Sequence, residues 1–208
     1  MKVKLCGFTD EGSLEVAIAK QCDFIGFVFC KNSVRYISPK EAGKISKIIP
    51  KNIKKVAVVV DENFDVLKEI ADEISPDFFQ FHGSETAEFL KEFRKKFPQI
   101  GIIKAFRIEN ADDVNQTKSF EDFADYFLFD GKIAGSGNSF DWSILKNYRG
   151  SKSWFLSGGI NANNIVEALR ITGAFMIDVS SGIEKTRGQK SPELIAELMT
   201  EVRKIQNN

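Results

Sequence analysis

Two short apolar runs, far apart in the chain, each stop at a side chain able to move a proton. Lys4-Leu5-Cys6-Gly7 ends one in a thiol; Leu128-Phe129-Asp130-Gly131 ends the other in a carboxylate. Brought to one cavity, a thiol and a carboxylate make a base and acid pair. Glycine turns add anion cradles, because glycine lets backbone N–H groups approach a ligand closely. These are Gly135-Ser136-Gly137, Gly158-Gly159 after Leu156-Ser157, and Ser180-Ser181-Gly182, whose hydroxyls add donors. The combination points to acid–base chemistry on a phosphorylated small molecule.

Other side chains surround that pair. Lys4 lies two residues before Cys6, so on a strand both point to one side, and an ammonium there favours the thiolate. A free cysteine most often packs as a small apolar residue, and strand-end position beside Lys4 argues otherwise for Cys6. Cys22, before a strand start, reads as structural; Cys30 reads as a loop or packing residue. Asp130 follows an aromatic run whose apolar surround favours a protonated general acid. His82, in Gln80-Phe81-His82-Gly83, is the single histidine and suits pocket lining as well as catalysis. Arg35, in Ser33-Val34-Arg35-Tyr36, suits bidentate contact with a substrate carboxylate, although an exposed loop arginine is the commoner reading.

Positioning these groups requires a repeating frame. Strand-like runs at Lys2–Cys6, Phe24–Phe29, Lys55–Val60, Phe78–Phe81, Gly101–Phe106, Tyr126–Phe129, Trp154–Ser157 and Phe175–Val179 alternate with helix-period segments. Those segments include Leu14–Lys20, Pro39–Ile49, Phe64–Ile74, Thr86–Phe97, Asn163–Ile171 and Pro192–Ile205. Ser38-Pro39 and Ser191-Pro192 are helix starts. Eight strands with about eight crossover helices predict parallel βα units closed into a single-domain (β/α)8 barrel over residues 1–208. Barrel sites form at the C-terminal strand ends, and Cys6, Arg35, His82, Asp130, Gly158-Gly159 and Asp178 to Gly182 all fall there.

Composition excludes several classes. Twenty-nine basic and 29 acidic residues cancel, so no overall field draws the chain to nucleic acid or an anionic membrane. Three cysteines without CxxC spacing, with one histidine, argue against a disulfide framework and a zinc site. No P-loop is present, and the Gly135–Phe140 run lacks a third fingerprint glycine. No apolar stretch reaches the roughly 18 residues of a membrane helix, and the first run is too short for a signal-peptide core. The chain reads as soluble and cytoplasmic.

The motifs KLCG at 4–7, GFVF at 26–29, SVRYIS at 33–38, QFHG at 80–83 and LFDG at 128–131 are followed by AGSGNSFDW at 134–142, LSGGINANNI at 156–165 and IDVSSGIE at 177–184. In this order over the whole chain, they resemble the phosphoribosylanthranilate isomerase family of tryptophan biosynthesis. The resemblance implies a (β/α)8 barrel performing a cofactor-independent, metal-free Amadori rearrangement of a small phosphoribosyl substrate, as a monomer or homodimer. It implies Asp130 as general acid, Cys6 as general base and Arg35 on the anthranilate carboxylate. Gly135–Gly137, Gly158-Gly159 and Ser180–Gly182 match phosphate loops. Asp178, with Lys4 and His82, completes the candidate substrate contacts.

The chain departs from the family pattern in places. Ala134 and Ser136 replace a common glycine and threonine, Val34 stands where proline is frequent, and an acidic residue is missing after Lys190, where Ser191 is expected to cap the last helix itself. Two alternatives stay open: a related phosphoribosyl aminoimidazole isomerase of histidine biosynthesis, which implies an aspartate where Cys6 stands, and a non-catalytic barrel that binds phosphoribosyl ligands.

Overall fold

Runs with apolar side chains on both faces must be covered on both sides, which favours parallel strands wrapped by crossover segments. The computed structural model describes residues 1–131 and 141–207. Its eight parallel strands close in order: β1 (Lys2–Cys6), β2 (Phe24–Val28), β3 (Lys54–Val59), β4 (Phe78–Phe81), β5 (Gly101–Ile108), β6 (Tyr126–Gly131), β7 (Trp154–Leu156) and β8 (Met176–Val179). β1 pairs with both β2 and β8, so the sheet has no open edge. The expected (β/α)8 barrel is present.

The two-residue period splits the strand residues into two cores. Cys6, Phe24, Val56, Val58, Ile103, Ala105, Leu128, Phe155 and Met176 fill the interior, with Val28, Phe78 and Tyr126 packed on them. Val3, Leu5, Phe27, Ala57, Phe79, Phe81, Phe127 and Phe129 face the outer layer. Val3 and Leu5 therefore point outward and Cys6 inward, as the alternation predicts.

The outer layer holds α1 (Glu11–Ala19), α2 (Pro39–Ile45), α3 (Phe64–Ile74), α4 (Ala87–Lys96), α5 (Ile165–Thr172) and α6 (Pro192–Asn207). Ser38 and Glu41 form the capping box at the start of α2, with Pro39 in its first turn. Ser191 caps α6: its Oγ accepts the Leu194 N–H at 3.2 Å. α6 packs against α1, completing the ring.

Two departures from the expected alternation appear. Between β5 and β6 the chain forms 3₁₀ turns over Ala111–Phe120, and before β7 a short 3₁₀ segment spans Trp142–Leu145. Side chains in the first stretch bond their own backbone: Asp113 accepts from the Glu109 and Asn110 N–H groups. Thr117 and Ser119 hydroxyls donate to the Val114 and Gln116 carbonyls. Such local bonds compete with α-helix. The second departure is a hairpin after β8, β9 (Glu184–Thr186) with β10 (Gln189–Lys190), inserted before α6. Among the described residues no helix is long and apolar enough to cross a membrane.

Candidate active site

The inward lanes of the barrel converge on one cavity of about 390 Å³ at the C-terminal strand ends. Continuing each lane by two residues names its walls: Cys6 from β1, Cys30 after β2, Val60 after β3, Gln80 and His82 from β4. Arg107 from β5, Asp130 from β6, Ser157 after β7, Asp178 and Ser180 from β8 complete the ring. Arg35, Gly158, Gly159, Ile160, Ser181 and Arg187 also line it. The structure thus brings together Cys6, Arg35, His82, Asp130, Gly158, Gly159, Asp178, Ser180 and Ser181. The Gly135, Ser136 and Gly137 assignments lie outside the described residues.

Lys4 and Gly182 are placed otherwise. Lys4 is 0% exposed and does not reach the cavity; its Nζ donates to Asp178 Oδ1 at 2.8 Å from below. Its partners are Asp178 and Cys6, at the base of the site. Gly182 is absent from the cavity wall because it abuts the loop after β7, where a side chain would collide with the Ile160 carbonyl. Its role is to let the β7 and β8 loops meet.

Cys6 owes its position to its neighbour on β2. Gly26 pairs with it in register, and a Cβ there would stand 2.6 Å from Sγ, so only glycine leaves room for the thiol. Burial pushes the Cys6 thiol above its ordinary pKa; Lys4 and Lys190 pull it down, while Asp178 reinforces the rise. Lys4 thus favours the thiolate as expected, yet burial wins and the resting group is the thiol. For Lys4 itself, burial opposes the ammonium but the Asp178 carboxylate and Cys6 outweigh it, so its pKa lies above the ordinary lysine value.

Asp130 is held by its own strand end: Oδ1 accepts the Gly131 N–H at 2.9 Å. Its Oδ2 lies 3.5 Å from His82 Nε2. The Gln80 amide nitrogen meets His82 Nδ1 at 3.1 Å, which leaves Nε2 as the ring nitrogen facing Asp130. The turn that carries His82 is clamped from outside by Lys104, which donates to the Gly83 carbonyl at 2.7 Å and Glu85 at 2.9 Å.

At the rim after β7, Gly158 and Gly159 both adopt left-handed backbone, φ +85° and +74°, which two consecutive side-chain-bearing residues adopt only under strain. Asn161 and Asn164 donate to the Gly159 carbonyl at 3.2 and 2.9 Å. With that oxygen held by the amides, the trans peptide turns the Ile160 N–H the other way. Ser180 Oγ donates to the Cys6 carbonyl at 3.0 Å, joining this rim to β1.

Arg35 is not a free loop arginine. Its Nε and Nη2 donate to Glu184 at 2.6 and 2.8 Å, and Lys190 donates to the same carboxylate at 2.7 Å. Burial works against Glu184, but the two cations and the Gly188 N–H hold its carboxyl down at about 2. Glu184 and Lys190 escaped the sequence reading because the hairpin that delivers them shows no local period. Arg107 falls at a strand end and was legible there, and Gln80 and Ser157 were accessible too, since each lies on an inward lane. Among the described residues, Arg107 and Arg187 line the cavity without an ion-pair partner.

A protein family described as N-(5'-phosphoribosyl)anthranilate (PRA) isomerase matches residues 3–201. The N-(5'-phosphoribosyl)anthranilate isomerase of Zymomonas mobilis is 37% identical, covering 98% of both chains. Among solved structures, phosphoribosyl anthranilate isomerase from Thermotoga maritima superposes with a TM-score of 0.89 at 32% identity, covering 98% of this chain and 99% of that one. A phosphoribosyl anthranilate isomerase in complex with reduced 1-(o-carboxyphenylamino)-1-deoxyribulose 5-phosphate gives 0.87 at 30% identity, with coverage of 98% and 99%. With its barrel and motifs matched along nearly the whole chain, this protein belongs to the N-(5'-phosphoribosyl)anthranilate isomerase family.

Proposed function

We propose that the cavity isomerises N-(5'-phosphoribosyl)anthranilate to 1-(2-carboxyphenylamino)-1-deoxyribulose 5-phosphate, an Amadori step of tryptophan biosynthesis. Asp130 gives a proton to the ribose ring oxygen; the C1–O bond breaks and the nitrogen lone pair forms the C1 iminium. Cys6, as thiolate, takes the C2 proton, and the electron pair left on C2 makes the enolamine. Loss of the C2 hydroxyl proton and protonation at C1 give the ketone, so protons balance without a redox partner.

One observation carries this reading: the thiol and the carboxylate reach the same cavity from β1 and β6, with Gly158-Gly159 and Ser180-Ser181 on its rim. The raised thiol fits a base used in small amount, because a less acidic thiol yields a stronger base once ionised. His82 supports Asp130, its Nε2 facing the carboxylate after that group has spent its proton. Arg35 meets the anthranilate carboxylate, and Asp178 contacts the sugar while anchored on Lys4. Gly135, Ser136 and Gly137 belong to the phosphate cradle on the family motif alone.

The test follows the fluorescence of phosphoribosylanthranilate on adding protein, with product measured separately to exclude hydrolysis. Stoichiometric rearranged product, lost in Asp130→Asn, supports the reading. Tight binding of phosphoribosyl ligands without turnover refutes it.

A further inference from the structure

The β9–β10 hairpin places one carboxylate between two cations at the edge of the cavity, Arg35 and Lys190. Glu184 Oε1 accepts from Arg35 Nε at 2.6 Å and Lys190 Nζ at 2.7 Å; Oε2 accepts from Arg35 Nη2 at 2.8 Å and the Gly188 N–H at 3.1 Å. Four donors use all the lone pairs of a carboxylate, so Glu184 has none left for a substrate. Its side chain is 3% exposed, with Lys190 at 0% and Arg35 at 8%. Two buried cations side by side repel; the shared carboxylate makes their proximity tolerable.

Each cation then leads to a different wall. The bidentate contact occupies the Nε–Nη2 edge of the guanidinium, leaving the Nη1–Nη2 end for a second carboxylate. Among the described residues Nη1 has no partner. Lys190 donates onward to the Ser180 carbonyl at 3.0 Å and to its hydroxyl at 3.2 Å. Ser180 in turn donates to the Cys6 carbonyl, so the chain of contacts ends at the thiol-bearing strand.

We propose that Glu184 is a positioning residue that ties Arg35 to the Ser180 rim and so fixes the spacing between the carboxylate-binding and phosphate-binding ends of the site. The inference rests on the proposed function, in which Arg35 meets the aryl carboxylate. Neither Glu184 nor Lys190 touches the reacting atoms; they set the distance over which a ligand with two anionic ends must reach. Held side-on by Glu184, Arg35 recognises a carboxylate end-on. Released, its long side chain samples many rotamers and loses that selectivity.

Calorimetry with two reduced product analogues tests this, one bearing the aryl carboxylate and one with a plain phenyl ring. The wild type binds the carboxylated analogue more tightly. Glu184→Gln shrinks that preference about tenfold, the worth of roughly one charge-assisted hydrogen bond. Because both residues act through one contact, Glu184→Gln combined with Arg35→Met binds no worse than Arg35→Met alone. Lys190→Met weakens both analogues alike and leaves the preference intact. If the amide variant does not fold, Glu184→Asp, which keeps the charge but shortens the reach, replaces it. Full preference retained without Glu184, or losses that multiply with Arg35→Met, overturn the proposal alone. A wild type that binds both analogues equally overturns the Arg35 reading and the proposal together.

Discussion

Replacing Asp178 with leucine isolates the buried charge pair at the base of the site. Lys4 is 0% exposed and bonds Asp178 at 2.8 Å, whereas Asp178 is 6% exposed and borders the cavity. Asp178→Leu strands an ammonium that water does not reach, a loss of about 3–5 kcal/mol. Lys4→Met strands a carboxylate that the cavity can hydrate, so it costs less. Lys4→Met combined with Asp178→Leu removes both charges and recovers most of the stability, since an apolar pair of similar volume is often as stable as the ion pair. For a chain this long the single change lowers Tm by roughly 6–20 °C. The pKa of Lys4 is raised on folding, so the pair's contribution is intact below the ordinary lysine value of 10.5 and is lost as pH rises through the higher folded value. Urea midpoints at constant m, taken at neutral pH and again above that value, read all of this. A double variant less stable than Asp178→Leu, or a single loss below about 1 kcal/mol, refutes the reasoning.

Asp130→Asn and Cys6→Ser each lower kcat by about 10²–10⁴-fold, the usual worth of a general acid or base, with the near-UV circular dichroism unchanged. Arg35→Met raises KM on the order of tenfold or more through loss of a charged hydrogen bond, and steady-state kinetics separates this from kcat. Glu184 is ionised down to about 2 in the fold, so its stabilisation is present above its ordinary pKa and lost as pH falls towards 2. The difference in urea stability between wild type and Glu184→Gln accordingly shrinks by on the order of 3 kcal/mol between pH 5 and pH 2. In thiol labelling, half-buried Cys30 reacts first, because Cys22 is pushed up to about 12 by burial and by Asp23 and Cys6 is raised too; Cys30→Ser removes the fast phase.

The period-two alternation was enough to orient β1 with Cys6 inward, and eight such runs separated by crossover lengths were enough for a closed parallel barrel. Strand ends in a barrel are adjacent whatever their distance in sequence, so Cys6, His82, Asp130 and Asp178 could be grouped before any coordinate was known. Helix starts at Ser38 and Ser191 were legible because caps are local. Local hydrogen bonding by Asp113, Thr117 and Ser119 was equally present in the sequence, yet its victory over helix in the β5–β6 connection depended on the turn's tertiary setting.

Tertiary structure alone decided the charge partners. Arg35 and Glu184 are 149 residues apart, as Lys4 and Asp178 are 174 apart, and no periodicity encodes which acid meets which base. It also decided that Lys4 lies beneath the cavity, that Gly182 seals two loops, and that the Cys6 thiol rests protonated. Side-chain direction follows from the strand period, a local property. Ion pairing and desolvation depend on everything that surrounds a group, which exists only once the barrel has closed.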